Sequence, residues 1–174
     1  QLLPIAGFEG GLRMERYEVT NARWARCVAA RVCLPPPQQV SSYFDQAGQQ
    51  LPIVGVDASQ ASEFCQWIGR RLPTRAEWSY AATRGTASPS PEQANLYNGA
   101  KGAAMPVGQH PQGATPDGVE DLIGNVQEWT RSAWSCISAC CCSCLPPCWW
   151  GAASVICARP WRAVRTCSNS WPWP

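Results

Sequence analysis

Charge is scarce in this chain: Asp, Glu, Lys and Arg make up 15% of the 174 residues, against about 25% in ordinary soluble domains. A formal net charge of +2 gives no broad field for nucleic acid or for an anionic membrane, and no nucleic-acid partner is expected. No run of eighteen or more apolar residues occurs, which argues against a transmembrane helix. The opening QLLPIAGFEGG has neither an initiator Met nor a basic stretch, so a signal peptide is expected to be absent or already removed. Both cytoplasmic and secreted locations stay open. Histidine is limited to His110 and there are no paired CxxC knuckles, so the cysteines do not read as a zinc ribbon.

What the chain has in quantity is Gly 14, Pro 16, Cys 11 and Trp 10. The first two point to a loop-rich domain rather than a helical bundle. Composition breaks near Ser132. Residues 1–131 hold all twelve acidic residues and eleven of the fourteen basic ones, for a net −1. Residues 132–174 hold Arg159, Arg162 and Arg165 with no acid, eight cysteines and six tryptophans. We therefore read 1–131 as the recognisable domain, and 132–174 as an atypical Cys/Trp-rich segment that either completes it or is disordered.

Within the first part, Leu12, Met14, Tyr17 and Val19 suggest a strand over residues 12–19 whose alternation slips once, after Met14. Thr20 is a suitable N-cap for a helix over residues 21–31 presenting Trp24, Cys27 and Val28, with Pro35, Pro36 and Pro37 as its stop. The next helix carries a capping box: Asp57 caps, Gln60 returns the bond, and Val56 and Ala61 form a hydrophobic staple. Its apolar stripe is Ala61, Phe64, Cys65 and Ile68, ending at Gly69. Cys65 reads there as a small buried apolar residue. A second box follows, with Thr74 as cap and Glu77 at N3, opening a helix that presents Trp78, Ala81 and Ala82 and closes at Gly85. Residues 86–117 read as loop, a common place for binding function.

The segments YEVTNARW (17–24), LPIVGVDASQASEFCQWIGRRLPTRAEWSYAATRG (51–85), ANLYNG (94–99), PVG (106–108) and GVEDLIGNVQEWT (118–130), in that order, resemble the formylglycine-generating enzyme, or sulfatase-modifying factor, family. The resemblance implies an α+β, C-type-lectin-like fold with short strands, two or three helices and extensive loops. Asp57, Gln60, Thr74, Glu77, Trp78 and Trp129 fall in its structural motifs. It also implies calcium as a bound ion: Asn125, a carbonyl of the Val126 region and Glu128 correspond to one site, and Asn95 with the carbonyl of Leu96 to part of another. Oxygen-rich loops suit such hard cations. Alternatively, Asn125 stabilises a tight turn beside Gly124 and Glu128 bonds to backbone or an arginine.

The resemblance implies that members which oxidise cysteine to formylglycine use copper, with paired cysteines after an RGGSW-like strand, whereas other catalytic members are iron-dependent. This chain has no RGGSW, and Cys157 and Cys167 lie ten apart without that pattern, so copper belongs only to an alternative in which the chain oxidises cysteine to formylglycine in a sulfatase-type substrate. The favoured reading is a non-catalytic binding or structural module for a protein, peptide or small-molecule ligand. A variable ligand-binding protein of a diversity-generating retroelement is a further alternative. The dense run Cys136, Cys140, Cys141, Cys142, Cys144 and Cys148 admits disulfides in an oxidising compartment, with one of eleven cysteines left over. A shifted reading frame after about Arg131 would also produce the coupled rise in Cys and Trp. Trp134, Trp149, Trp150 and Trp161 are candidates for core filling, while Trp171 and Trp173 read as part of a loose end or a binding surface.

Overall fold

A computed structural model describes residues 1–36, 46–85, 89–96, 103–131 and 153–160. Among the described residues, five short strands and three α-helices make up the regular part: β1 (Leu2–Ile5), β2 (Leu12–Glu15), α1 (Asn21–Ala29), α2 (Ala58–Trp67), α3 (Arg75–Thr83), β3 (Gln127–Glu128), β4 (Ala153–Ser154) and β5 (Ala158–Pro160). The class is mixed α and β. β2 sits between β1 and β5, antiparallel to both, with Leu12 opposite Ile5 and Pro160 and Met14 opposite Leu3 and Ala158. β3 and β4 form a separate parallel pair. The dense run from Cys136 to Cys148, Cys167, and the tryptophans Trp134, Trp149, Trp150, Trp161, Trp171 and Trp173 lie outside the described residues.

β2 is shorter than the predicted 12–19. It stops where the apolar alternation slips, because Leu12, Met14 and Glu15 are all buried and no solvent face continues. The chain beyond it still pairs in single steps: Val19 N–H donates to the Val155 carbonyl at 2.7 Å and Ile53 N–H to the Val19 carbonyl at 2.8 Å. α1 begins as predicted, with the Thr20 side chain accepting from Arg23 N–H. Its end is a correction. The helix closes at Ala29, before the prolines, since Arg31 takes a left-handed φ of 60° and a Cys27–Cys33 disulfide ties the turn back onto the last helical turn.

Both capping boxes form. The Asp57 side chain accepts from Gln60 N–H and the Gln60 side chain accepts from Asp57 N–H, each at 2.9 Å. Thr74 and Glu77 exchange the equivalent pair at 3.2 and 2.7 Å. Gly69 takes φ 70° after α2, in the left-handed region that a Cβ disfavours.

Cys65 is a second correction. It is buried on the predicted stripe, yet it is bonded to Cys157, 92 residues away in sequence. A buried thiol and a buried half-cystine look alike from one helix; the partner decides between them. Two apolar clusters form the interior. One gathers Trp24, Phe64, Cys65, Val19, Val155 and Cys157, with Trp24 and Phe64 rings stacked at 5.2 Å. The other gathers Leu12, Met14, Trp78, Val119, Ile156 and Ala158. The tetrapeptide from Val155 to Ala158 is wholly buried and alternates between the two, so this part of the compositionally unusual C-terminal region is built into the same interior as the N-terminal strands.

Candidate functional site: buried carboxylates

Among the described residues six acidic side chains are buried, and they differ in how their charge is answered. Glu15 is held by Arg23 through two bonds at 2.8 and 2.9 Å and also by Arg70. Glu77 meets Arg71 at 2.6 and 2.7 Å, and Glu120 meets Arg16 at 2.8 Å. Glu18, Asp121 and Glu128 have no ion pair among the described residues. Burying such a charge without a partner is costly enough that it is normally neutralised or matched by a cation.

Local structure explains how these three come together. Glu18 follows β2, where the chain turns inward between Tyr17 and the buried Val19. Asp121 takes φ 60° and Asn125 φ 52°, so the loop ahead of β3 doubles back twice within five residues. Gly124, at φ 102°, lies so near the neighbouring loop that an added Cβ would sit 2.8 Å from the Asn95 carbonyl oxygen. The Gly108 N–H donates to Asp121 Oδ2 at 3.1 Å. Glu128 points inward from β3, where the Trp78 indole N–H donates to its Oε2 while its Oε1 is buried without a hydrogen-bond partner.

The electrostatics follow from burial. Glu18 is pushed well above the ordinary carboxylate range by desolvation, then by the nearby charges of Asp121 and Glu128, against a lowering bond from Asn125. Asp121 is raised by burial and by Glu120, with the Gly108 N–H opposing. Glu128 is raised to about 8 by burial, with Asp121 adding to the shift and the Trp78 bond opposing it.

Asn125 is the hinge between this cluster and the loop of Asn95. Its Nδ2 donates toward Glu18 at 3.3 Å and to the Met105 carbonyl at 3.2 Å. Its Oδ1 accepts from Asn95 Nδ2 at 3.1 Å and Met105 N–H at 2.9 Å, and its backbone N–H donates to the Asn95 carbonyl at 2.8 Å. Asn95 and Asn125, assigned by resemblance to two separate ion sites, are thus joined directly. Leu96 and Val126 are half-buried in the same two loops and can offer only backbone oxygen. Among the described residues Glu128 bonds to an indole, neither to backbone nor to an arginine. Asp57, Gln60, Thr74 and Glu77 serve the helix starts, and Trp129 donates its indole N–H to the Val56 carbonyl at 2.9 Å.

Glu18 and Asp121 were not singled out from the sequence. Their signals were an acid alternating with Tyr17 and Val19, as on a solvent face, and an acid pair just ahead of GNVQEW, and neither reveals burial. Among the described residues no group of three Asp, Glu, His or Cys side chains is arranged as a ready-made metal cage. All four described core cysteines, Cys27, Cys33, Cys65 and Cys157, are in disulfides.

The fold and site define a class: a small mixed α and β domain, disulfide-braced, with an oxygen-lined acidic interior between loops. The chain belongs to the family of the Sulfatase-modifying factor enzyme 1-like domain, which matches residues 8–167. It is 39% identical over 102 residues to the inactive C-alpha-formylglycine-generating enzyme 2 of Mus musculus, covering 49% of this chain and 33% of that protein. It is 39% identical over 110 residues to the formylglycine-generating enzyme of Mycobacterium tuberculosis, covering 53% and 36%. With the hercynine oxygenase of Mycolicibacterium thermoresistibile it shares 32% identity over 142 residues, covering 71% and 31%. The matches span about a third of each relative's length.

Proposed function

We propose that this chain is a non-catalytic member of its family, a binding or structural module on a lectin-like scaffold, with a calcium ion answering its buried carboxylates. One observation carries the first half. Cys157, one of the two late cysteines that a copper site could recruit, is fully buried and bonded to Cys65. A disulfide sulfur is no thiolate, and copper(I) selects thiolates. The described residues therefore do not fit copper. The similarity to a relative named as inactive is in keeping with this, while the similarity to two named enzymes makes the assay necessary.

The donor set does fit a hard cation. Among the described residues Glu128 Oε1 is buried and unpaired, Glu18 and Asp121 have no ion pair, and every group concerned offers oxygen. Glu128 would hold the ion, with carbonyls of the Asn95–Leu96 and Asn125–Val126 loops and water completing the shell that calcium requires, while Glu18 and Asp121 add negative charge nearby. The ion supplies charge, and Asn125 holds the two loops together around it.

Titrating the oxidised protein with copper(I) and assaying a sulfatase-type cysteine peptide tests the reading. The expected outcome is neither stoichiometric copper binding nor formylglycine. Formation of formylglycine overturns it in favour of the copper oxidase. Calcium is tested separately by isothermal titration with the ion alone, where one bound equivalent is expected, and absence of heat removes the ion from the proposal.

A further inference from the structure

A second feature lies at the far ends of α1 and α2, apart from the carboxylates. Val32, Leu34 and Trp67 are exposed large apolar side chains, at 46%, 67% and 38%. A chain of contacts through the interior links the loop of Leu34 to Trp67. The Trp24 indole N–H donates to the Leu34 carbonyl at 3.0 Å, the Trp24 ring stacks on Phe64, and Phe64 meets Trp67 at 5.8 Å between ring centroids.

The loop that presents Val32 and Leu34 is held in place covalently. Cys27 and Cys33 close it, the N–H groups of Val32 and Cys33 both reach the Cys27 carbonyl, and Arg31 is kept at a left-handed φ. Burying Cys33 between them turns Val32 and Leu34 outward. A fixed loop loses little conformational freedom on contact.

Its charge is of one sign. Residues 21–36 contain Arg23, Arg26 and Arg31 and no acid. Arg23 is spent on Glu15, while Arg26 and Arg31 are exposed and have no ion pair among the described residues. Glu63, exposed on α2 four residues before Trp67, is the opposing charge nearby.

We propose that this edge is a docking surface for an anionic lipid bilayer. Leu34, Val32 and Trp67 enter the headgroup region, where an indole is at home, and Arg26 and Arg31 meet the acidic headgroups. A fixed loop of exposed apolar side chains that carries Arg31, with Arg26 on the helix just before it and neither in an ion pair among the described residues, suits a yielding, negatively charged surface. The near-neutral chain as a whole hides this local arrangement, and the proposal does not depend on calcium or on the absence of catalysis.

The test is sedimentation of the full oxidised chain, with chelator present, on vesicles of phosphatidylcholine alone or with about a quarter phosphatidylserine. Binding to the acidic vesicles is expected to be at least about threefold stronger, and to weaken with added salt. Leu34→Ser and Trp67→Ser should each lower it about threefold, and Arg26→Gln with Arg31→Gln should bring it to the neutral-vesicle level. Glu63→Gln should raise it. Near-UV circular dichroism and thiol titration establish that each variant is folded with its disulfides intact. Equal binding to both vesicle types, or unchanged binding by folded Leu34→Ser and Trp67→Ser, overturns the proposal. So does a concentration-dependent dimer that these variants abolish without any vesicle binding, which would make the edge a protein contact instead.

Discussion

Glu128 gives the sharpest behaviour of any single residue. Its ordinary value is 4.5 and its folded value about 8, so between those limits the folded protein keeps a proton that the unfolded chain releases. Stability in chelator must therefore fall as pH rises through that window, by something on the order of a few kcal/mol for a carboxyl this deeply buried. Calcium should flatten or reverse the trend by binding the deprotonated form. Urea unfolding at about pH 5 and about pH 8, with chelator or calcium, measures both slopes. Glu128→Gln should remove its own share of the fall in chelator, leaving the share carried by Glu18 and Asp121, and should reduce the gain from calcium. This residue was legible as a site candidate through its GNVQEW setting, but its chemistry was not. The indole of Trp78 and the acids Glu18 and Asp121 reach it from segments between 7 and 110 residues away, and no local pattern carries their burial.

Among elements, the helix starts were the most legible, because a capping box is complete within four residues. The two boxes are nevertheless unequal. Asp57 and Gln60 face solvent and serve only α2. Glu77 is partly withdrawn from water and answers Arg71 as well as the Thr74 N–H. Asp57→Ala should cost about 1 kcal/mol, and Glu77→Ala about 2–3 kcal/mol because a charged acceptor and its cap are lost together. Equal losses in chemical denaturation would show the Arg71 pair to be idle. Burial alone would raise Glu77, but Arg71 and the Thr74 N–H hold it below the ordinary value. Its contribution is thus present above about 4.5 and fades as pH falls, opposite in sign to that of Glu128. The end of α1 shows where local reading stops. Proline was the visible breaker, but the working one is a turn set by a disulfide whose pairing spacing does not dictate.

At the scale of the molecule the two disulfides among the described residues have different reach. Cys27 and Cys33 are 6 residues apart and Cys65 and Cys157 are 92 apart. The chain-entropy relation assigns about 2 kcal/mol to the first closure and about 4.5 kcal/mol to the second. Replacing Cys65 and Cys157 together by Ser should lower stability by about twice as much as the same change at Cys27 and Cys33, measured by urea unfolding under non-reducing conditions. A reversed order would locate the main covalent brace in the α1 turn. The family motifs carried the mixed helix and strand class and the order of its elements. The composition of the region after Ser132 left open whether it completes the domain, whereas what matters in Val155 to Ala158 is four small or branched side chains of a size that the two clusters admit.

That tetrapeptide has a consequence for how the protein is made. Both halves of the interior, and both β2 and the Val19 backbone, wait for residues that leave the ribosome more than a hundred positions later. Until then the nascent chain carries two unfinished apolar surfaces and a free Cys65 thiol. The interval of translation between Val19 and Val155 is therefore the period in which this molecule most needs a chaperone, and the formation of the Cys65–Cys157 bond marks its close.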